Sequence, residues 1–264
     1  MGGPVRSGSA GAPPGAVVGG RVLDPAATGL VLKQLLARSE ISETRAVFAA
    51  SDAVATFRVL KFAPTATDHE IDSAVSRELP LDPSRMATRW IDLQRGAGVR
   101  EVYAASWDRA QVKNVTEAAR LAGLEATVVE LKSTCIARAV SETACVVLDM
   151  SSDPMEAILI DGSVPQVWHS FRADASLGDD LVPALAAPLR TVLKFYKRRR
   201  DTDFGSQCPV LISGEQMLPT HVVAKLAELV GHPVQALPVP ARVPPEIRHT
   251  TYLTCIGLLM RRTR

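Results

Sequence analysis

Two short apolar runs constrain this chain more than any other feature. Cys145-Val146-Val147-Leu148 and Val210-Leu211-Ile212 are unbroken, and each passes at once into a polar turn, Asp149-Met150-Ser151-Ser152 and Ser213-Gly214-Glu215. Apolar runs of this length, bounded by turn residues, read as strands buried on both faces, the kind found in the middle of an α/β sheet. A turn at the end of such a strand holds a phosphate when several backbone N–H groups aim at one point, and glycine lets the backbone approach that closely. The first of these turns has no glycine and the second has one. As phosphate-holding turns, these two would have little grip.

The chain has 264 residues, 47% of them hydrophobic, which is enough for a sizeable core in one large domain or two lobes. A net charge of +2 is too balanced to indicate a nucleic-acid binder. The cysteines, Cys135, Cys145, Cys208 and Cys255, form no C-x-x-C pair, so a zinc site is not expected and reduced thiols are. The five histidines make no H-E-x-x-H or Cys/His spacing, and there is no G-x-S-x-G elbow, G-x-x-x-x-G-K-[ST] loop or G-x-G-x-x-G turn. No catalytic residue and no metal ligand is therefore assigned. No apolar stretch follows Arg6 as in a signal peptide, and the longest apolar candidate, Tyr252 to Met260, is about half the ~20 residues that a membrane span needs.

Along the chain, residues 1–20 are rich in Gly, Ala, Pro and Ser and are expected to be a flexible tail. Asp24-Pro25 reads as a helix cap with proline in the first turn, and Leu30, Leu32, Leu35 and Leu36 make an amphipathic helix to about Arg38. Strands are expected at Arg45 to Ala50 and Val54 to Phe62. Thr67-Asp68-His69-Glu70 is a capping box, and Ile71, Val75 and Leu79 are the buried stripe of the helix it opens. Strands at Met86 to Leu93 and Glu101 to Ser106 complete a small α/β unit. Then follow a helix from Asp108 to Leu121, a strand at Ala126 to Leu131 and a helix from Ser133 to Val140. A three-strand meander over 144–171 turns at Asp161-Gly162. A long helix from Leu177 to Arg199 ends in Lys197-Arg198-Arg199-Arg200. Strand 209–213, helix 217–230, strand 233–237 and a final helix from Glu246 to Arg262 close the chain. This alternation is a two-lobe α/β pattern with a small inserted unit.

The ordered set of local patterns resembles the type IV pilus assembly protein PilM family, which is of the actin-like superfamily. Val22-Leu23-Asp24-Pro25 leading to Leu32-Lys33-Gln34-Leu35-Leu36 is similar to that family's entry into its first helix. Ala53 to Leu60 resembles the strand that opens its inserted subdomain, and Glu70 to Pro80 resembles the helix after it. Leu121-Ala122-Gly123-Leu124 resembles a helix end of the family. Ser213 to Pro219, with Leu226, Leu229, Gly231 and Pro233-Val234, resembles its adenosine-side turn and helix, and Ile256-Gly257-Leu258 its last helix. The resemblance covers nearly everything from residue 21 onward. It implies an actin-like (ribonuclease H-like) two-lobe α/β fold with a small inserted α/β subdomain and a first lobe truncated at its N-terminus. It places a tail at 1–20, the first lobe at 21–142 with the insert at 44–104, the second lobe at 143–243, and at 244–264 a C-terminal helix packing back on the first lobe.

The departures bear on function. The family's first phosphate loop has no counterpart here. Its second appears as Asp149-Met150-Ser151-Ser152, with Ser151 where glycine is expected. Its adenosine-side glycines appear as Ser213-Gly214-Glu215, where Glu215 would bring an extra negative charge to a nucleotide. Asp149, Ser151, Ser152, Gly214 and Glu215 are thus the expected remnant of a nucleotide pocket, with no resident cofactor expected and ATP with Mg²⁺ only if that pocket works. By resemblance the chain is a cytoplasmic scaffold of a pilus, competence or secretion assembly. It would bind the cytoplasmic peptide of a PilN-like inner-membrane partner in a groove near the insert, and would not turn over ATP. The alternative is an active ATP-binding protein translated from a start upstream of Met1; a divergent sugar kinase has no carboxylate pair to support it. Nucleic acid is not an expected partner. The membrane is expected only indirectly or through two basic clusters, Lys197 to Arg200 and Arg261, Arg262 and Arg264. Oligomerisation is left open.

Overall fold

The division of this chain into two units falls inside a strand, between Val129 and Glu130. The structure, a computed structural model, describes residues 6–79, 82–96, 98–151, 153–173, 181–215, 218–240, 243–244 and 247–261. Ser152, Leu177 to Asp180, Glu246, Arg262 and Arg264 lie outside these.

Gly8–Val129 opens with a two-strand hairpin, β1 (Val17–Val18) and β2 (Arg21–Val22). The hairpin reaches into the stretch expected to be a tail: Ala16 is buried, and its carbonyl accepts from the Leu23 and Asp24 N–H groups. Helix α1 (Pro25–Arg38) begins as expected, with Asp24 Oδ1 accepting from Ala26 N and Ala27 N, both at 2.9 Å. β3 (Arg45–Ala50) follows. A 3-10 turn, Asp52–Val54, takes up the first residue of the next expected strand, so β4 runs Ala55–Phe62. The turn forms because Ser51 caps it, its hydroxyl accepting from Ala53 N.

Helix α2 (Asp68–Glu78) carries both halves of its capping box, Glu70 N to Thr67 Oγ1 and Thr67 N to Glu70 Oε2. Its stripe of Ile71, Val75 and Leu79 is buried against Val102 and Ala104. Those two residues belong to β6 (Val99–Asp108), the centre of a sheet ordered β4, β6, β5, in which β5 is Met86–Gly96. The β5–β6 hairpin is longer than the sequence pattern indicated, because a register shift between Asp92 and Gln94 lets pairing continue past Leu93. Arg100, buried in this hairpin, donates to Asp92 and Asp68 and to the carbonyl of Ala66, tying sheet to helix. Burying a guanidinium is tolerable only with such a full set of partners. α3 (Arg109–Leu121) and β7 (Glu125–Leu131) complete the unit, with β7 paired to β3.

The second unit, from Glu130, is built on a sheet ordered β10, β9, β8, β11, β12. Its strands are β8 (Ala144–Asp149), β9 (Met155–Asp161), β10 (Val164–Phe171), β11 (Val210–Ser213) and β12 (Val234–Ala236). β8 to β10 are antiparallel, whereas β11 is parallel to both β8 and β12. The two apolar runs that dominate the sequence are thus neighbours in the middle of one sheet. α5 (Leu181–Arg200) and α6 (Thr220–Val230) cover one face through Leu185, Leu189, Val192 and Leu226. α4 (Lys132–Ala139) and α7 (Leu253–Leu259) cover the other. Gly257 of α7 is required there, since a Cβ would lie 1.9 Å from the Cys135 carbonyl oxygen on α4.

α7 is much shorter than the expected Glu246 to Arg262. Residues 247–252 form turns, with Thr251 and Tyr252 N–H both donating to the Arg248 carbonyl. The β-branched pair Thr250-Thr251 favours helix weakly, and the Thr250 carbonyl is committed to another element. No described helix is long and apolar enough to cross a membrane.

Candidate functional site

Asp149 ends β8, Ser213 ends β11, and the two are direct partners across the parallel ladder. The structure therefore brings together the two turns that the sequence singled out, at the carboxyl ends of adjacent strands, where α/β sheets commonly hold ligands. The backbone groups there are already engaged. Met150 N donates to the Ser213 carbonyl at 2.8 Å, and Ser151 N donates to Asp149 Oδ1 at 3.1 Å. Gly214 N donates to the Thr250 carbonyl at 3.0 Å, and Ser213 Oγ donates to the same oxygen at 2.7 Å. Gly214 has φ +130°, and a Cβ on it would stand 2.9 Å from the Met150 carbonyl carbon. The glycine that could have admitted a ribose or phosphate instead admits the neighbouring turn. Ser151 and Glu215 are exposed, and Ser152 lies outside the described residues.

The other oxygen of Asp149 meets a residue that the sequence reading missed. Lys132, the first residue of α4, places Nζ 2.7 Å from Asp149 Oδ2 and 2.7 Å from Glu156 Oε2 on β9. All three side chains are largely withdrawn from solvent, at 14% exposure for Lys132, 2% for Asp149 and 5% for Glu156. Burial alone would push the ammonium down, but the two carboxylates outweigh it and hold Lys132 above its ordinary value. Glu156 carried a signal in the sequence, as the one charge within Met155-Glu156-Ala157-Ile158-Leu159-Ile160. Lys132 had none, since its partners lie on two other elements.

The polar groups that a magnesium nucleotide would call on at these two turns are engaged within the chain. The ammonium already sits against the carboxylate that would orient a metal. Met150, Ser151 and Gly214 have no N–H left to offer a phosphate. Among the described residues no group of His, Cys, Asp or Glu is placed to hold a metal.

A different feature occurs within Gly8–Val129. A groove of about 840 Å³ runs between the first strand residues of β5 and the N-terminal half of α3, lined among others by Arg89, Trp90, Trp107, Arg109 and Lys113. Its one carboxylate, Asp72, accepts from Trp90 Nε1 at 2.7 Å. Arg109 and Lys113 occupy the first and second turns of α3, and no acidic residue lies in that first turn. Asp108 caps that helix end, its carboxylate accepting from Ala110 N, and the groove is positive through its lining, with Arg89, Arg109 and Lys113 against the one carboxylate of Asp72. β5 is also an edge of its sheet, with one row of backbone groups outside the ladder.

No protein-family model matches the chain, and no curated protein matches it. Solved structures do. A chain of a PilM–PilN type IV pilus biogenesis complex superimposes with TM-score 0.65 at 20% identity, over 93% of this chain and 88% of that one. The cytoplasmic domain of EpsL, an inner-membrane component of the type II secretion system of Vibrio cholerae, gives TM-score 0.50 at 10% identity, over 89% of this chain and 82% of that one. At these identities the likeness is one of fold. The chain has the actin-like α/β fold that its sequence led us to expect.

Proposed function

We propose that this protein is a cytoplasmic, non-catalytic component of a type IV pilus or related secretion assembly. In this reading it uses an actin-like fold to dock a peptide from an inner-membrane, PilN-like partner. The observation that carries the reading is the pairing of a nucleotide-type pocket filled by the chain's own groups with an unfilled, positively charged groove at an open strand edge. Lys132 and Thr250 take the contacts that a metal and a nucleotide would need. The likeness to a chain solved with PilN supports the class of partner.

The docking mode follows from the groove. An extended peptide adds its backbone to the edge of β5, the mode in which main-chain bonds give affinity and side-chain pockets give specificity. Arg89, Arg109 and Lys113 favour a carboxylate on that peptide, while Trp90 and Trp107 offer apolar contact beside it.

The test is titration of the protein with a synthetic peptide of the cytoplasmic N-terminus of the same organism's PilN-type protein, read by fluorescence of Trp90 and Trp107. Saturable binding that Lys113→Glu weakens at least tenfold supports the reading. Absence of binding by a folded protein, or binding that Lys113→Glu leaves unchanged, overturns it.

A further inference from the structure

The basic run at the end of α5 is not used by the groove or by the filled pocket. Over its 20 residues α5 contains no Asp or Glu, and six of its residues are basic: Arg190, Lys194, Lys197, Arg198, Arg199 and Arg200. Three of the six have evident local work. Lys197 pairs with Asp203 at 2.9 Å, Arg200 lies 3.9 Å from Asp161, and Arg199 donates to the Gln166 carbonyl. Cations also suit the C-terminal end of a helix.

The other three follow a different logic. Arg190, Lys194 and Arg198 recur every four residues, which places them in one row on the solvent side of the helix, opposite the buried Leu185, Leu189, Val192 and Tyr196. Among the described residues none of the three pairs with a carboxylate. Arg190 donates both Nε and Nη2 to the Leu229 carbonyl of α6, a neutral partner that leaves its charge uncompensated. Phe195 stands beside this row at 43% exposure, and Leu229 is 40% exposed. Glu228 is the nearest acid in sequence on α6.

We propose that this face of α5 is a contact surface for an anionic lipid bilayer. The row spans about 12 Å at the α-helical rise of 1.5 Å per residue, too far for one small anion to bridge but matched to a field of headgroups. An exposed aromatic among cations suits an interface in which an apolar ring enters the headgroup–acyl boundary while the charges remain at the phosphates. A nucleic-acid surface would use more cations and stacked aromatics than three and one.

The experiment is co-sedimentation of the full chain with vesicles of mixed phosphatidylglycerol and phosphatidylcholine, with pure phosphatidylcholine vesicles and a DNA duplex as comparison ligands. Each cation near such a surface contributes roughly fivefold in partitioning. The double variant Lys194→Glu, Arg198→Glu is therefore expected to lower binding to the anionic vesicles by at least about 25-fold. Phe195→Ser lowers it several-fold without changing the salt dependence. All three positions are exposed, so thermal unfolding stays close to that of the parent. Equal binding to neutral vesicles, unchanged binding by the double variant, or tighter binding to the duplex than to the anionic vesicles overturns the proposal.

Discussion

The turns at the ends of β8 and β11 and the groove beside β5 are opposites in how they treat polar groups. In the pocket every donor named above has an acceptor within the chain, and a buried ammonium neutralises the carboxylate that would matter most. In the groove, Arg89 has no carboxylate partner among the described residues, Lys113 acts on Glu117 one turn further along α3, and the lining carries Arg89, Arg109 and Lys113 against the single carboxylate of Asp72. Internally satisfied polar groups hold a fold together, whereas unsatisfied, like-charged ones are kept at a cost that a ligand can repay. On the proposed reading the groove is the place of function, although the pocket is the more conspicuous of the two in the sequence.

The sharpest way to break this comparison is to remove the ammonium. Lys132→Met leaves two buried carboxylates facing each other and is expected to destabilise the protein by about 3–5 kcal/mol in urea unfolding. Adding Asp149→Asn and Glu156→Gln recovers most of that loss. A change below about 1 kcal/mol in the single variant would mean the cluster is solvated and open. Gly214→Ala should cost about 1–3 kcal/mol, since it combines strain at a positive φ with a clash against Met150. A neutral result there would show that the two turns can part. Arg89→Glu with Lys113→Glu should leave unfolding within about 0.5 kcal/mol of the parent. The same pair should remove peptide binding, so stability and binding separate cleanly between the two regions.

The smallest effect expected is on pH. Lys132 is held above its ordinary value in the folded state, so its contribution is fully present below the unfolded-state value near 10.5. It is lost as pH rises through the higher folded value. Asp108 runs the other way. Burial opposes its ionisation, but Arg85 and the Ala110 N–H outweigh burial and hold it low. Its contribution is present above the unfolded value near 3.8 and fades as pH falls through the lower folded value. Unfolding midpoints across pH should thus lose an alkaline limb in Lys132→Met and keep the acidic one.

Where the fold was legible in the sequence, the signal was local. Thr67 and Glu70 cap α2 reciprocally, Asp24 caps α1, and Gly231 ends α6 at φ +72°, each decided within four residues. The apolar runs marked β8 and β11 as buried strands, but that their ends meet, Asp149 against Ser213, was implied only by the resemblance to the PilM family. The length of α7 was not legible, because it depends on a carbonyl at Thr250 being drawn to Ser213 and Gly214, 37 residues earlier for the Ser213 hydroxyl. Lys132 was invisible for the same reason. A lysine at a strand-to-helix junction reads as solvated until the fold closes two carboxylates on it.

The most direct test of the claim that the chain's own groups fill the nucleotide-type pocket is a calorimetric titration of the 264-residue protein with Mg-ATP, with thermal unfolding as the check that it is folded. The account predicts no saturable heat and an unchanged midpoint from a cooperatively folded protein. Saturable binding with a raised midpoint would contradict it, because a ligand that stabilises the folded state must find contacts that Lys132, Met150 and Thr250 otherwise hold.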